Sequence, residues 1–134
     1  MCNFLQLYGT SYLFVRITLT GPLPENVHVE CYIPHALLLP HCSAVICHGG
    51  PGTTLNSLAL GLPLLILPQG ADQFVVGDLV RASGAGLCLT PQHVNASTVR
   101  QSVLALLDEP GYRANARRLQ REIIAMRGLR RQSN

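Results

Sequence analysis

The chain has 134 residues, of which 48% are hydrophobic and 13% charged, and it carries a formal net charge of +3. This composition excludes an intrinsically disordered chain, and the length suits a single domain. No apolar run reaches the roughly 18 residues that cross a bilayer, and the N-terminus lacks the basic start of a signal peptide, so we expect a cytoplasmic protein without a membrane span. All ten basic residues are Arg, and seven lie within residues 113–131. Their spacing predicts a solvated helix face rather than a nucleic-acid surface.

Short apolar runs alternate with longer amphipathic stretches along the chain. Residues 1–11 match no pattern and stay unassigned. Strands are predicted over 12–20, 27–31, 44–47, 64–67 and 85–89. Helices are predicted over 36–39, 49–60, 73–83, 96–107 and 112–126, with a polar tail over 127–134. Gly61 and Gly84 are stop signals, Asn95 is a helix N-cap and Pro110-Gly111 is a break. The pattern predicts an α/β fold with a doubly wound, mostly parallel sheet and helices on both faces.

A glycine-rich turn follows the predicted strand over 44–47. It runs through His48, Gly49, Gly50, Pro51, Gly52, Thr53 and Thr54. Ligands of open parallel sheets bind beyond the carboxyl ends of the strands. Backbone N–H groups and the dipole of a helix start favour an anion there, and the His and Thr side chains can add hydrogen bonds. The turn therefore predicts a diphosphate clamp without metal or Lys, although such a turn is also common without any ligand.

A second polar segment follows the next strand and returns to the same edge of the sheet. Asp72 can accept hydrogen bonds from two neighbouring sugar hydroxyls, and Gln73 can both donate and accept. We therefore predict that this pair binds a sugar. The alternative is that Asp72 is simply the N-cap of the helix that follows it.

Cysteine usage gives no disulfide or metal framework. The five Cys residues form no CxxC pair, which argues against both a disulfide scaffold and a zinc ribbon. Cys42, Cys47 and His48 could be considered as metal ligands, but Cys47 falls in an apolar strand pattern that is typical of a small buried side chain. We expect no metal and no cofactor.

Three motifs stand out within residues 27–126: His48-Gly49-Gly50-Pro51-Gly52-Thr53-Thr54-Leu55, Gly61-Leu62-Pro63 and Pro68-Gln69-Gly70-Ala71-Asp72-Gln73-Phe74. In these motifs and their spacing, residues 27–126 resemble the donor-binding domain of family 1 glycosyltransferases, whose fold is GT-B. The similarity is closest to the bacterial branch that glycosylates macrolides, enediynes and other natural products. It implies a Rossmann-like C-terminal domain, here over residues 12–126 and truncated at its N-terminus. It also implies transfer of a sugar from UDP- or TDP-sugar to a hydroxyl of a small-molecule acceptor, as in antibiotic biosynthesis.

The resemblance also implies roles for individual residues. The donor diphosphate would be bound by His48 and the backbone of Gly49, Gly50, Gly52 and Thr53, and the donor sugar by Asp72 and Gln73. Asn56 stands where many relatives have a ribose-binding Glu. Tyr32 and His35 stand where relatives have the Trp and Gln of a Trp-x-Pro-Gln motif that binds the base. An ordinary half-exposed loop pair is the alternative for these last two residues.

Family members have a second, N-terminal domain that holds the acceptor and the base that activates it. We therefore expect no catalytic residue in this chain and expect the isolated chain to be inactive. Its partners would be the nucleotide-sugar donor and a missing acceptor domain or partner subunit. Two alternatives stay open: the donor subunit of a two-polypeptide GlcNAc transferase, and a non-catalytic nucleotide-binding remnant. The absence of GxGxxG and GxxxxGK[ST] motifs argues against dehydrogenases and P-loop proteins.

Overall fold

The computed structural model describes residues 5–6, 12–13, 22, 25, 27 and 33–133. Two short strands near the N-terminus, β1 (Leu5–Gln6) and β2 (Tyr12–Leu13), pair antiparallel with each other. Sequence analysis left β1 unassigned and predicted β2 as the start of a strand over 12–20. Residues 14–20 and 28–32 lie outside the described part of the chain. Most of the strand predicted over 27–31 therefore lies outside it too.

Three parallel strands form the centre of the domain and pair in the order β3-β4-β5. β3 is Val45–Cys47, β4 is Leu64–Ile66 and β5 is Gly86–Cys88. The register sets Cys47 beside Ile66 and Ile66 beside Cys88. All residues of β3 and β4 are buried, as expected for parallel strands covered on both faces.

Five α-helices surround this sheet within residues 33–133. They are α1 (His35–Leu38), α2 (Pro51–Leu58), α3 (Asp72–Ser83), α4 (Ala96–Asp108) and α5 (Pro110–Gln132). Two 3₁₀ turns, Leu39–His41 and Pro91–His93, connect them to the strands. The order of elements alternates between strand and helix from β3 to α4.

Alternate strand residues point into two separate apolar layers. Val45, Cys47 and Ile66 belong to a core that includes residues of α1, α2, α3 and α5. Ile46 and Leu65 belong to a second core with α4. Because successive side chains of a strand point to opposite faces, the two cores lie on opposite sides of the sheet. Helices therefore cover both faces, which confirms the predicted α/β fold.

The predicted helix ends are mostly confirmed. Gly61 and Gly84 have φ of +70° and +75°, and Gly84 is the C-cap of α3. Asn95 caps α4 by accepting a hydrogen bond from the N–H of Thr98, whose hydroxyl in turn accepts one from the N–H of Asn95. The break before the last helix is confirmed, but it lies at Glu109 and not at Pro110-Gly111. Proline fits the first position of a helix because its missing N–H has no partner there anyway, and α5 begins at Pro110.

Helix α5 is longer than predicted and stays helical through residues 127–132, which sequence analysis assigned to a polar tail. Four of its side chains donate hydrogen bonds to backbone carbonyls of other elements. The pairs are Arg113 with Ser43 (2.8 Å), Asn115 with Gly84 (3.2 Å), Arg118 with Ser83 (3.1 Å) and Gln120 with Ala59 (3.1 Å). The last three of these bonds hold α5 against the C-terminal ends of α3 and α2. Among the described residues, no helix combines the length and apolar character needed to cross a membrane.

Gly77 sets how closely α3 packs on β5. A Cβ at this position would lie 2.5 Å from the Sγ of Cys88. We expect Gly77→Ala to lower the free energy of unfolding by about 1–3 kcal/mol, because the helix must move off the sheet. Urea denaturation measures the change.

Gly128 is the matched control, since it is also inside a helix but a Cβ there would have no heavy atom within 4 Å. Gly128→Ala should raise the free energy of unfolding by about 0.5–1 kcal/mol. Equal effects of the two substitutions would contradict the proposed role of Gly77 in packing.

Candidate functional site

The carboxyl ends of β3 and β4 bring the two predicted polar segments together. The N–H of Leu67 donates to the carbonyl of Cys47 at 2.8 Å, so the parallel pairing continues past the strand ends. Beyond that bond, a Cβ added to Gly49 would lie 3.2 Å from the carbonyl oxygen of Gln73. The glycine-rich turn and the Asp72-Gln73 segment are therefore in backbone contact, as the strand order predicted.

Two glycines shape the turn for different reasons. Gly49 has φ of +95° and also lies against Ile66 and Gln73, so a side chain would be both strained and crowded. Gly50 has an ordinary extended conformation and is the N-cap of α2. A Cβ on Gly50 would lie 3.1 Å from the Nε2 of His48. The half-buried His48 ring therefore lies over the start of α2.

The first turn of α2 offers unpaired backbone donors. Pro51 occupies the first helical position and has no N–H, and no side chain caps the helix start. The N–H of Thr54 already donates to the carbonyl of Gly50 at 3.0 Å. The N–H groups of Gly52 and Thr53 precede that bond and have no acceptor among the described residues. Together with the positive end of the helix dipole and the His48 ring, they form a cradle for an anion.

Only one of the two predicted threonine hydroxyls is available to a ligand. The Thr54 side chain is buried, and its hydroxyl donates to the carbonyl of Gly50 at 2.8 Å. The prediction that Thr54 adds a donor to the clamp is therefore wrong, because its hydroxyl serves the helix start instead. Thr53 is half-buried, and its hydroxyl has no partner within residues 33–133.

Asp72 and Gln73 are the first two residues of α3, and only the Gln73 side chain has a hydrogen bond among the described residues. The N-cap is Ala71 and no side chain caps the helix, so the alternative that Asp72 is the N-cap is wrong. The exposed Asp72 carboxylate has no hydrogen-bond or ion-pair partner in the described part of the chain. The Oε1 of Gln73 accepts the N–H of Gln69 at 2.8 Å, which leaves its NH₂ group as a free donor. An acceptor-only and a donor-only group thus lie side by side.

Ala71 has a strained backbone directly before this pair. It has φ of 43° and ψ of −123°, and the N–H of Gln73 donates to the carbonyl of Gly70 at 3.1 Å across it. These angles match the first central position of a type II′ turn, where glycine is preferred. Among the described residues no other non-glycine has positive φ. Sequence analysis did not predict this feature, because an alanine by itself does not indicate a positive φ.

A cleft of about 240 Å³ lies beside α2, one helical turn from the anion cradle. His35, at the start of α1, and Asn56 of α2 both line it, so the structure brings the predicted base and ribose residues together. Tyr32, the other predicted base residue, lies outside the described residues. Arg127 of α5 also lines the cleft, and sequence analysis missed it because it fell in the predicted polar tail.

The cysteines near the site are neutral buried thiols. Burial raises the pKa of the Cys47 thiol, and its hydrogen bonds with Gly49 and Thr54 only partly oppose this. Burial also raises the pKa of Cys42 to about 11. Metal ligation needs thiolates, which a raised pKa disfavours. The described residues contain no cluster of three or more His, Cys, Asp or Glu side chains that could hold a metal ion.

Comparison with known proteins gives the family. The model of the erythromycin biosynthesis protein CIII-like C-terminal domain matches residues 15–127. The chain belongs to this glycosyltransferase domain family. It is 40% identical over 104 residues to 4'-demethylrebeccamycin synthase of Lentzea aerocolonigenes, which covers 78% of this chain and 25% of that protein. The family confirms the resemblance seen in the sequence.

Solved structures agree with this assignment. The spinosyn forosaminyltransferase SpnP superimposes with a TM-score of 0.77 at 39% identity, over 82% of this chain and 30% of that one. The spinosyn rhamnosyltransferase SpnG, complexed with thymidine diphosphate, gives a TM-score of 0.75 at 35% identity, over 86% of this chain and 33% of that one. The chain thus spans about a quarter to a third of the length of the relatives it matches.

The strain at Ala71 can be tested by substitution. We expect Ala71→Gly to raise the free energy of unfolding by about 0.5–2 kcal/mol, because relief of the positive φ outweighs the extra chain entropy of glycine. The control is Ala82→Gly in the exposed last turn of α3, which should lower it by about 0.5–1 kcal/mol. If urea denaturation shows both variants destabilised alike, Ala71 is not strained.

Proposed function

We propose that this chain is the donor-binding part of a glycosyltransferase that moves a sugar from a UDP- or TDP-sugar to a hydroxyl of a natural product. The contact between Gly49 and Gln73 is the observation that carries the proposal, since it sets an anion cradle beside a paired acceptor and donor. A nucleotide sugar has this arrangement of chemistry, with a diphosphate next to a ring of hydroxyls. Family membership and the relative complexed with thymidine diphosphate support the same ligand class.

In the proposed reaction, an acceptor oxygen attacks the anomeric carbon while the bond from that carbon to the diphosphate breaks. Negative charge then accumulates on the departing diphosphate. The N–H groups of Gly52 and Thr53 and the His48 ring are fixed before the reaction, so they can stabilise this charge without reorganising. The segments 48–56 and 67–73 contain neither Lys nor Arg, so they offer the diphosphate no permanently charged side chain. We propose that these N–H donors and the His48 ring stabilise its charge in place of a metal ion.

Sugar recognition is assigned to the start of α3. Asp72 would accept hydrogen bonds from two neighbouring hydroxyls, and the NH₂ of Gln73 would donate to a third oxygen. The Gln69 N–H holds the Gln73 amide in this orientation. Because Ala71 fixes the turn that leads into the pair, its strain would help to position both side chains.

The proton of the acceptor hydroxyl needs a base, and we propose that an acceptor-binding domain supplies it. His48 and His93 have no carboxylate partner among the described residues. A donor subunit of a two-polypeptide GlcNAc transferase is not favoured, because the relatives reported above are named as a 4'-demethylrebeccamycin synthase and a spinosyn forosaminyltransferase. A non-catalytic remnant would differ in failing to bind the nucleotide or in failing to react when an acceptor domain is supplied.

His48 provides the first test of the proposal. His48→Ala should weaken binding of UDP or TDP by about 1.5–3 kcal/mol, the contribution of a hydrogen bond to a charged group. Isothermal titration calorimetry measures the affinities. The control is His93→Ala, since His93 is exposed in a 3₁₀ turn after β5 and pairs with Thr90. Equal affinities for wild type and His48→Ala would remove His48 from the site.

Asp72 provides the second test, which separates sugar from nucleotide. Asp72→Ala should weaken binding of the nucleotide sugar while leaving the bare nucleotide diphosphate unaffected, because Asp72 follows a different strand from the phosphate cradle. Asp78→Ala removes the same charge from the exposed middle of α3 and should change neither affinity. Equal losses for both ligands, together with a lowered melting temperature, would give Asp72 a structural role instead.

A further inference from the structure

The cleft beside α2 has a mixed lining that suits one part of a nucleotide. Its apolar lining includes the buried Leu39 and the half-buried Ala59. Three polar side chains also line it: His35 of α1, Asn56 of α2 and Arg127 of α5. A flat base with carbonyl oxygens on its rim needs both kinds of surface, since its faces are apolar and its edges are polar.

The position of Arg127 in the cleft follows from how α5 is fixed. Gln120 donates to the carbonyl of Ala59 at 3.1 Å, which holds that face of α5 against the end of α2. Arg127 lies seven residues later, about two helical turns along the same face. The chain therefore presents Arg127 to the cleft by the same contact that packs the helix.

Arg127 differs from Arg113 and Arg118 of the same helix in its bonding. Arg113 and Arg118 donate to backbone carbonyls, and Arg118 also pairs with Glu122 at 3.5 Å. Arg127 has no hydrogen bond or ion pair among the described residues. Its guanidinium is a planar fork of five donors that can bind carbonyl oxygens in pairs or stack on an aromatic ring.

The cleft and the anion cradle are spaced for one ligand. Asn56 lies four residues after Gly52, so the two share a face of α2 and are about 6 Å apart along its axis. A diphosphate held at Gly52 would therefore place its nucleoside beside Asn56. We infer that Arg127 binds the pyrimidine base of the donor nucleotide. The inference rests on the proposed function and adds a residue from α5 to its site.

The test compares arginine variants of equal charge change at about 0.15 M salt, where long-range charge is screened beyond roughly 8 Å. Arg127→Ala should raise the dissociation constant for UDP about tenfold or more and leave that for inorganic pyrophosphate unchanged. Arg127→Lys should fail to restore UDP binding, because a point charge cannot replace the planar fork. The control, Arg130→Ala, removes the same charge from an exposed site three residues along α5 and should leave both constants unchanged.

Several outcomes would overturn the inference. UDP binding equal to wild type in Arg127→Ala would overturn it alone and leave the proposed function standing. Equal losses for UDP and pyrophosphate would place Arg127 on the phosphates, and equal losses in Arg127→Ala and Arg130→Ala would reduce the effect to net charge. If the unaltered chain bound neither UDP nor TDP, the proposed function itself would fail. Arg127 is exposed, so unchanged melting temperatures will show that each variant is folded.

Discussion

The parallel pairing of β3 with β4 is the constraint on which the candidate site depends. Both strands are buried on both faces, so their register is fixed by packing as well as by hydrogen bonds. The bond from Leu67 to Cys47 extends this register past the strand ends. The two loops that follow then have no freedom to separate, and Gly49 lets their backbones touch. The segments that contain His48 and Asp72, which are 24 residues apart in the chain, therefore form one surface.

The sequence predicted those features that depend on local chemistry. Buried strands, glycine stops and the Asn95 cap follow from apolar runs and from backbone preferences of single residues. It did not predict the inward turn of the Thr54 hydroxyl or the positive φ of Ala71, because both depend on how neighbouring segments pack. The position of Arg127 beside the cleft depends on the hydrogen bond between Gln120 and Ala59, which are 61 residues apart. Pro110 misled the prediction because proline both breaks helices and begins them.

The site combines backbone polar groups, whose positions the fold fixes, with polar side chains, whose identity the fold leaves open. Apart from the His48 ring, the anion cradle consists of backbone N–H groups, whose positions are set by the fold and whose protonation does not change. The sugar pair and the polar lining of the cleft consist of side chains outside the apolar core, which can be exchanged with little effect on the sheet. This separation means that the core of the domain fixes where a diphosphate would lie, while a few exposed side chains would decide which base and which sugar accompany it.

The hydrogen bonds from α5 affect the order in which the domain can fold during its synthesis. Asn115, Arg118 and Gln120 donate hydrogen bonds to the last carbonyls of α3 and α2. In the chain, however, β5 and α4 come between α3 and α5. During synthesis, α2 and α3 leave the ribosome first, and their terminal carbonyls and the apolar surface that Ala116 covers stay exposed to water until α5 emerges. The ligand-facing loops can therefore form early on a sheet whose rear layer is still incomplete. A nascent chain paused before residue 110 would expose that layer to chaperones or to other chains.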